Sequence, residues 1–431
     1  MLLISRIRRG MELAALLALG ACSKDDLLTP DLPDFVLPES LTDLAGANAL
    51  YAGALSDMVV AMTGTTGVVY YSGIFADEAF NGVGPWDRRD LSSDDGQLTE
   101  TSSPVLLLHR ARTALEIGGA GLGTYFGATD ARIGEMWALA GMTYIAFGES
   151  WCSGMPFSDR TKSGPAAFGQ PTSTAAMFQT AIERLNTAGG AAGGSARIIN
   201  LIAVLRGRAL LNMGQFSEAA QAVANVPTNY TYQFLHSPAR QINGIFLQNQ
   251  RQEFSVPNRE GGNGLNFASA ADARVPVSAP VPSFDGVTPQ VYFLKYTGTS
   301  DPVSMVTGIE ARLIQAEAAL RANDVSGWLA RLNEIRLTVS GLAPLSDPGS
   351  AAARVDLTFR ERAFWMYLTA HRLGDLRRLV RQYARAAESV YPTGPYHKGG
   401  LAYGQQVALQ VPQSEANNPN FHAGDCKVTT P

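Results

Sequence analysis

The sequence predicts a mainly α-helical scaffold that carries long loop-rich insertions. Apolar residues recur at intervals of three and four, most clearly at Ile133, Trp137, Ala140, Tyr144 and Phe147, which is the spacing of one buried helix face. Pairs of Ala-rich helices are joined by short polar breaks, as in helical hairpins. Between the helices lie long stretches rich in Gly, Pro, Asn and Asp, a composition typical of loops.

The first half of the body is predicted as helices separated by one long loop. A helix over 41–62 opens at Ser40 or Thr42, because hydroxyl side chains suit the cap position. Residues 64–104 are rich in Gly, Asp and Ser with scattered aromatic residues, which predicts a loop. Helical periodicity then returns at 104–117, 130–148, 172–188 with Thr172 or Ser173 as its cap, 197–213 and a shorter helix from Ser217.

The second half contains the largest insertion. Residues 226–305 carry Pro, Gly, Asn and short apolar stretches but no long helix. Helices resume at 308–322, 326–338 and 354–386, and the tail 387–431 is loop-like.

Two helix pairs are similar to each other. Residues 201–224 (LIAVLRGRALLNMGQFSEAAQAVA) and 310–336 (EARLIQAEAALRANDVSGWLARLNEIR) each show a helix with small residues, a tight polar break and a second helix. The break Gly214-Gln-Phe-Ser-Glu-Ala219 resembles the turn of a tetratricopeptide repeat. Small residues on facing positions let helices approach closely, and stacked pairs bury a shared core. The alternative is two unrelated helical hairpins.

The N-terminus has the layout of an export signal. Arg6, Arg8 and Arg9 precede a short apolar run, and small residues then lead to Cys22. This layout is typical of a secretory signal peptide, and the run is far shorter than the ~20 residues that span a bilayer as a helix. The Leu-Gly-Ala-Cys sequence resembles the lipobox of bacterial lipoproteins, which implies a signal peptide over 1–21 and lipidation of Cys22. The alternative is an ordinary signal followed by a chance cysteine.

The residues after Cys22 are predicted to form an extended linker over 22–40. Asp25 and Asp26 resemble the acidic tags that send Bacteroidetes-type lipoproteins to the outer face of the outer membrane, although they could equally begin a solvated linker. With Cys22 lipidated, Cys152 and Cys426 remain, and an even remainder in an oxidising compartment predicts one disulfide. The alternative is two free buried thiols.

Composition and motifs argue against several functional classes. The chain is 46% apolar and 17% charged, with a formal net charge of −4, which gives no electrostatic basis for nucleic-acid binding. The sequence has no Gly-x-Ser-x-Gly, His-Glu-x-x-His or P-loop motif. Its five His residues lack the spacing of zinc ligands. We therefore expect no catalytic residue, no metal and no cofactor.

Several blocks, in order along the chain, resemble the SusD/RagB family of outer-membrane nutrient-binding lipoproteins. Besides the lipobox, they are Gly73-Ile-Phe-Ala-Asp77-Glu78, residues 132–157, Ala316-Glu317-Ala318 with Leu332-Asn333-Glu334-Ile335-Arg336, residues 360–378, and Val411-Pro412-Gln413-Ser414-Glu415 with Asn418-Pro419. The blocks cover nearly the whole chain and imply one SusD-like helical domain over 41–431. Thr369-Ala370 departs from the usual Glu-Gly pair, and the chain is short for the family.

The resemblance implies capture of a ligand without chemistry. A surface-exposed, lipid-anchored protein would bind oligosaccharides, or peptides, and hand them to a SusC-like TonB-dependent transporter in the outer membrane. The alternatives are a polysaccharide-processing glycoside hydrolase, because many Asp and Glu are present, and a structural surface or assembly lipoprotein. The charged residues of 360–378 would form a structural network, in which a buried Glu361 or Asp375 must be paired.

The ligand site is expected on loops, because the helix faces are needed for packing. The loop 71–90 mixes aromatic faces with hydrogen-bonding groups, and two tyrosines in the insertion form a second candidate. For each residue the alternative is that it simply covers the core. The candidate ligand-binding residues are Tyr71, Asp77, Phe80, Asn81, Trp86, Asp87, Arg88, Tyr292 and Tyr296.

Overall fold

The computed structural model describes residues 41–84, 87–92, 104–158, 167–286, 288–422 and 424–431. The predicted signal peptide, Cys22, the linker 22–40 and Trp86 lie outside the described residues. Within them the fold is mainly α-helical with short strands, so the predicted fold class is confirmed.

The helices lie close to the predicted positions, with the exceptions given below. In chain order they are α1 (Leu44–Thr63), α2 (Val68–Phe75), α3 (Arg89–Ser92), α4 (Pro104–Gly121), α5 (Gly123–Phe126), α6 (Ala131–Ser150), α7 (Thr174–Gly190), α8 (Ala196–Asn212), α9 (Phe216–Ala222), α10 (Gly244–Gln250), α11 (Gly308–Arg321), α12 (Val325–Arg336), α13 (Ala351–Trp365) and α14 (Arg372–Tyr383).

The strands pair in short antiparallel ribbons. β1 (Met155–Pro156) pairs with β2 (Pro171–Thr172), β3 (Thr231–Phe234) with β6 (Val303–Thr307), and β4 (Val281–Pro282) with β5 (Pro289–Gln290). The β3–β6 ribbon shifts register between Tyr232 and Gln233. The β3–β6 ribbon joins the two ends of the long insertion, and each of the three ribbons has only two strands.

Side-chain caps fix where individual helices begin. The carboxylate of Asp43 accepts the N–H of Gly46 at 2.7 Å and opens α1, so the prediction of Ser40 or Thr42 at this position was wrong. Ser173 caps α7, which is one of the two residues predicted there, and its hydroxyl accepts the N–H of Ala176 at 3.2 Å. In each case the side chain satisfies an N–H of the first turn that has no partner within the helix.

The segment 64–104 was predicted as a loop, but its described part contains α2 and α3. α2 has the sequence VVYYSGIF and is buried on nearly every side. A helix that is apolar all round carries no amphipathic period, so the spacing rule that found the other helices could not find this one.

The single helix predicted over 354–386 is two helices, α13 and α14. Leu368 and Ala370 between them have φ values of +53° and +61°, and left-handed residues end a helix. Glu78 holds this break, because its Oε1 accepts the N–H of Leu368 at 3.2 Å and its carbonyl accepts the hydroxyl of Tyr367. Ala370 occupies a backbone conformation that favours glycine, which agrees with the Glu-Gly pair usual at this point in the family that the sequence resembles.

Glycines bring α6 and α7 together. Gly134, Gly141 and Gly148 lie seven residues apart on α6 and face α7 and the turn that follows it. A Cβ on Gly141 would stand 3.0 Å from Leu185, and one on Gly148 would stand 2.8 Å from the ring of Phe178. The contact at Gly148 is closer than real Cβ atoms show, and the contact at Gly141 is tighter than most, so the close packing of the two helices favours glycine at both positions.

Both predicted helix pairs form. α8 packs against α9, α11 packs against α12, and the two pairs meet through α9 and α11. Ala219 of α9 and Ala311 of α11 are fully buried, as expected of small residues between closely packed helices. The relation of these pairs to tetratricopeptide repeats stays a prediction.

Buried charge at the C-terminal helices is paired, as predicted. Asp375 contacts Arg362 and Arg378 at 2.8 Å each, and Glu361 contacts Arg274 at 2.7 Å and Arg336 at 2.8 Å. Other buried carboxylates follow the same rule: Asp77 with Arg372, Glu116 with Arg112 and Arg184, Glu135 with Arg197, Glu149 with Arg208, Glu310 with His371 and Glu317 with Arg378.

Cys152 and Cys426 form a disulfide bond, with their Cα atoms 5.4 Å apart. Cys152 follows α6 directly and is fully buried, while Cys426 belongs to the loop-like tail. The bond therefore joins the last residues of the chain to the end of a central helix.

By length and apolarity alone, the stretch Leu44–Phe75 could cross a membrane. However, 78% of its most apolar window is buried against the rest of the protein. In this fold α1 and α2 are core helices.

Candidate functional site

A cavity of about 550 Å³ opens where three distant parts of the chain meet. The loop after α2 contributes Phe80, residues 257–262 form one side, residues 288–289 lie at the base of the β4–β5 ribbon, and the tail supplies residues 393–403. Apart from Pro289, which begins β5, these residues belong to connections between regular elements, so the cavity sits largely on loops held by the helical body.

Backbone pairing positions Phe80. Its N–H donates to the carbonyl of Ser255 at 3.1 Å, and its carbonyl accepts the N–H of Ser255 at 2.8 Å. Gly82 then passes so close to Ser283 and to the carbonyl of Gln252 that a Cβ would stand 2.1 and 2.4 Å from them. The loop is therefore pressed against the insertion and presents the half-buried ring of Phe80 to the cavity.

Aromatic rings make up much of the wall. The ring of Phe80 lies 5.2 Å from that of His397 in an edge-on arrangement, and Tyr396 packs on His397 at 4.2 Å and on Tyr403 at 5.2 Å. Burial, helped by the charge of Lys398, lowers the pKa of His397 to about 4. At neutral pH the imidazole is therefore uncharged and offers one donor and one acceptor.

Two buried acids lie close together here, Glu260 in the cavity lining and Asp87 outside it. Asp87 is 1% exposed and accepts a hydrogen bond from the hydroxyl of Tyr396. Burial raises the pKa of Asp87 to about 7, although that hydrogen bond and the charge of Lys398 act in the opposite direction. Glu260 is 7% exposed and lines the cavity. Burial, together with the nearby carboxyl groups of Asp87 and Asp77, raises the pKa of Glu260 well above its ordinary value.

The structure brings four of the predicted ligand residues to this region. Phe80 lines the cavity. Asn81 is buried behind it, where its Oδ1 accepts the N–H groups of Val83 and Gly84 and its Nδ2 donates to the hydroxyl of Tyr70 at 2.9 Å. Asn81 thus shapes the loop rather than facing a ligand.

Asp87 and Arg88 connect this loop to the tail. Asp87 holds Tyr396 by accepting the hydrogen bond from its hydroxyl. The Nε of Arg88 donates to the carbonyl of Ala402 at 3.0 Å, and its guanidinium pairs with Asp90. Both side chains fasten the tail segment that forms the cavity wall.

Asp77 does not face the cavity and serves the fold instead. It is completely buried, its carboxylate forms a two-point ion pair with Arg372, and its Oδ2 also accepts the N–H of Leu265 at 2.8 Å. The expectation that Asp77 binds ligand rested on a composition typical of loops, which does not reveal which polar side chains turn inward.

The tyrosine candidates lie elsewhere. Tyr71 is half-buried on α2, where its ring packs edge-on against Tyr70 at 5.3 Å. Tyr296 is buried against Phe293, and the hydroxyl of Tyr292 accepts a hydrogen bond from Gln252 at 2.9 Å. For Tyr71 and Tyr296 the structure favours the alternative that they cover core.

Sequence reasoning missed the contribution of the tail and of Glu260. Residues 392–404 read PTGPYHKGGLAYG, which mixes aromatic rings with Gly and Pro in the same way as the loop after α2. Applying one criterion to both segments would have identified Tyr396, His397 and Tyr403. Glu260 carries no such signal, because it is a single acid beside a Gly-Gly pair.

A second concavity, of about 680 Å³, runs along α1 and α4 and is lined largely by small apolar residues such as Ala49, Ala52 and Gly53. It lacks the combination of rings and buried acids that marks the Phe80 cavity. Across the described ranges, no group of three or more His, Cys, Asp or Glu side chains is arranged to hold a metal ion.

No family model and no curated protein matches the chain. Several solved structures have a similar fold. A SusD superfamily protein from Parabacteroides distasonis matches with a TM-score of 0.66 and 14% identity over 89% of this chain and 99% of its own. A SusD superfamily protein from Bacteroides thetaiotaomicron matches with a TM-score of 0.66 and 14% identity over 88% of this chain and 99% of its own. A SusD-like carbohydrate binding protein from Bacteroides vulgatus matches with a TM-score of 0.62 and 14% identity over 90% of this chain and 98% of its own.

Proposed function

We propose that this chain, which has a SusD-like fold, is a lipid-anchored cell-surface protein that binds oligosaccharides in the Phe80 cavity and delivers them to a TonB-dependent outer-membrane transporter. The observation that carries this proposal is the cavity itself, which combines ring faces with a few polar groups on a rigid helical body. That combination is typical of sites that bind small organic ligands.

The wall chemistry suits a sugar ring. One face of a pyranose presents C–H groups that pack on aromatic rings, and Phe80 and Tyr403 offer such rings. The edge of the sugar presents hydroxyl groups, for which Asn258, Thr288 and Thr393 stand at the cavity. One structural neighbour is described as a carbohydrate binding protein, which supports the same ligand class here.

The cellular address rests on the N-terminal sequence. A lipobox ending at Cys22 would direct acylation of that cysteine, which becomes the first residue of the mature protein. More than one acyl chain gives stable membrane anchoring. The linker 22–40 would then hold the helical body away from the bilayer. The resemblance to the SusD/RagB family is the basis for proposing delivery to a SusC-like transporter. The same resemblance implies peptides as a second ligand class.

A glycoside hydrolase would need two carboxyl groups in contact with the substrate. Glu260 reaches the cavity, whereas Asp87 is covered and holds Tyr396. This geometry favours binding over hydrolysis. Incubation of the purified protein with a panel of polysaccharides, followed by reducing-end detection, would reveal hydrolysis directly.

The test of the proposal is Phe80→Ala. A stacked ring contributes about 0.5–1.5 kcal/mol beyond its buried area, so we expect Kd for a bound glycan to rise roughly two- to tenfold or more, with Tm nearly unchanged. Isothermal titration calorimetry against a glycan panel measures this.

The matched control is Phe168→Ala. Phe168 is 50% exposed and lies on a different loop, where its carbonyl accepts a hydrogen bond from Asn420 at 2.9 Å. We expect this variant to bind like the wild type. Equal binding by all three proteins would move the site away from Phe80, and failure of the wild type to bind any glycan would refute the proposed function.

A further inference from the structure

Glu260 departs from the pattern that most buried carboxylates follow, as does Asp87, whose only ion-pair candidate among the described residues is the uncharged His397 at 3.8 Å. Each of the pairs described above joins a buried acid to an Arg or His. Glu260 has no ion-pair partner within the part of the chain that the structure describes. Glu78 also lacks one, but it is sealed in the core and accepts the N–H of Leu368. Glu260 instead stands at a cavity wall.

The carboxyl group of Glu260 has no cationic partner among the described residues. Neither Oε1 nor Oε2 makes a well-aligned hydrogen bond to a described residue, although the side chain is more than nine-tenths buried. Its polar neighbours are the hydroxyl of Tyr403 and the carboxyl group of Asp87. The neighbouring groups that influence its pKa most are Asp87, Asp77 and Tyr403, and none of them is a cation. Arg259, the adjacent residue, also lines the cavity but is exposed to solvent and forms no ion pair with Glu260.

A buried acid without a cationic partner is costly unless something compensates it. In this cavity the compensating group can come from a ligand, because the acid lines the space that a ligand would occupy. Two further acids close by strengthen the preference for positive charge. The rings of Phe80 and Tyr403 stand in the same wall, and ring faces attract cations.

We propose that the cavity binds a sugar carrying a free amino group, whose ammonium pairs with the carboxylate of Glu260. This inference rests on the proposed function and names its ligand class. A charge-assisted hydrogen bond between the ammonium and Glu260 supplies the cation that the protein lacks, while Asn258, Thr288 and Thr393 are placed for ring hydroxyl groups. Binding requires Glu260 to be ionised, so a proton held by the acid is released to solvent when the ammonium arrives.

The experiment compares three oligosaccharides that share one β-1,4-linked backbone. Chitosan oligomers carry an amine at carbon 2, chitin oligomers an acetamide, and cello-oligomers a hydroxyl. Calorimetry at mildly acidic pH, where the sugar amines are protonated before they bind, should show binding of the amine form to the wild-type protein roughly 10- to 100-fold tighter than the other two, the effect expected of a hydrogen bond between charged groups. Titrations in two buffers of different ionisation enthalpy should show proton release for the amine form alone.

The variant Glu260→Gln keeps the size of the side chain and removes its charge. We expect it to lose the preference for the amine form while keeping its weaker binding of the hydroxyl form. Glu218→Gln is the matched control, because Glu218 is exposed on α9. If Glu260→Gln fails to fold, the affinities of the wild-type protein for the three oligosaccharides still test whether the cavity prefers an amino sugar.

The outcomes separate this inference from the proposed function. Equal affinity for all three oligomers leaves oligosaccharide binding intact and overturns the role of Glu260. Tighter binding of a lysine-containing peptide than of any amino sugar overturns the proposal in favour of peptide capture. Absence of binding to every oligomer overturns both.

Discussion

At the scale of single residues, stability at the C-terminal helices depends on guanidinium groups packed around buried acids. Asp375 accepts two hydrogen bonds from Arg362, at 2.8 and 2.9 Å, and one from Arg378 at 2.8 Å. Burial alone would raise the pKa of Asp375, but the two guanidinium groups hold it well below its ordinary range. Because the folded-state pKa is lowered, this contribution to stability is present above the unfolded pKa and is lost only as the pH falls through strongly acidic values.

We expect Asp375→Asn to destabilise the protein by about 3–5 kcal/mol, because buried Arg362 loses its close carboxylate partner and buried Arg378 keeps only Glu317. Urea denaturation followed by circular dichroism measures the difference. Asp347→Asn is the control, since Asp347 pairs with Arg354 at the surface, where solvent screens the interaction. A loss of stability no greater than that of the control would contradict the buried network.

The ligand candidates show how far residue type alone can lead. The mixture of rings and hydrogen-bonding groups after α2 predicted a ligand site on this segment, and Phe80 lines the candidate cavity. Composition could not show that Phe80 lines the cavity while Asp77, three residues earlier, is buried in an ion pair with Arg372. Which side chains turn inward depends on partners that are hundreds of residues away in the sequence.

At the scale of elements, the close contact of α6 and α7 depends on glycine. Gly148 stands against the buried ring of Phe178, and its carbonyl accepts a hydrogen bond from Arg377 at 2.8 Å. Helix propensity favours alanine over glycine by about 1 kcal/mol, whereas forcing extra atoms into a packed core costs about 1–3 kcal/mol. The packing cost should therefore exceed the gain in propensity.

We expect Gly148→Ala to lower the free energy of unfolding by up to about 2 kcal/mol, the difference between those two effects. Gly189→Ala in the last turn of α7 makes the same substitution where a Cβ meets nothing within 4 Å, and it should be neutral or stabilising. Thermal unfolding of both variants checks this. Stabilisation by Gly148→Ala would show that α6 and α7 can separate at little cost.

The amphipathic helices were predictable because one face meets the core and the other meets water. α2 was not, because it is buried on all sides. The break between α13 and α14 was also hidden, since the residues around it are good helix formers and the break is imposed by Glu78 on another element. Local pattern therefore predicts elements that face both core and solvent, and fails where tertiary contacts decide.

At the scale of the whole molecule, the site is assembled from the loop after α2, the insertion and the tail. No local pattern joins Phe80 to Glu260 or to His397. The family resemblance supplied the expectation of a SusD-like scaffold, and the solved structures with that fold agree. The cavity and its unpaired acid emerged only from the packing of these segments.

The proposed anchor predicts how the whole protein distributes in a cell. Cys22→Ala should abolish labelling by radioactive fatty acid and release the protein from the membrane fraction, whereas Ser23→Ala should behave like the wild type. Retention of the Cys22 variant in the outer membrane would refute the lipobox interpretation. Orientation is a separate question, which digestion by external protease on intact cells answers.

The disulfide between Cys152 and Cys426 also has a consequence for the order in which the protein matures. A ribosome makes the chain from the N-terminus, so α14, which ends at Tyr383, is made before residues 393–403 and Cys426. The cavity wall is among the last parts to be made, and the bond that fastens the tail closes later still. A chain that ended before residue 393 would contain the helices α1–α14 yet lack one wall of the candidate cavity, so the proposed ligand binding would require synthesis to continue through the tail.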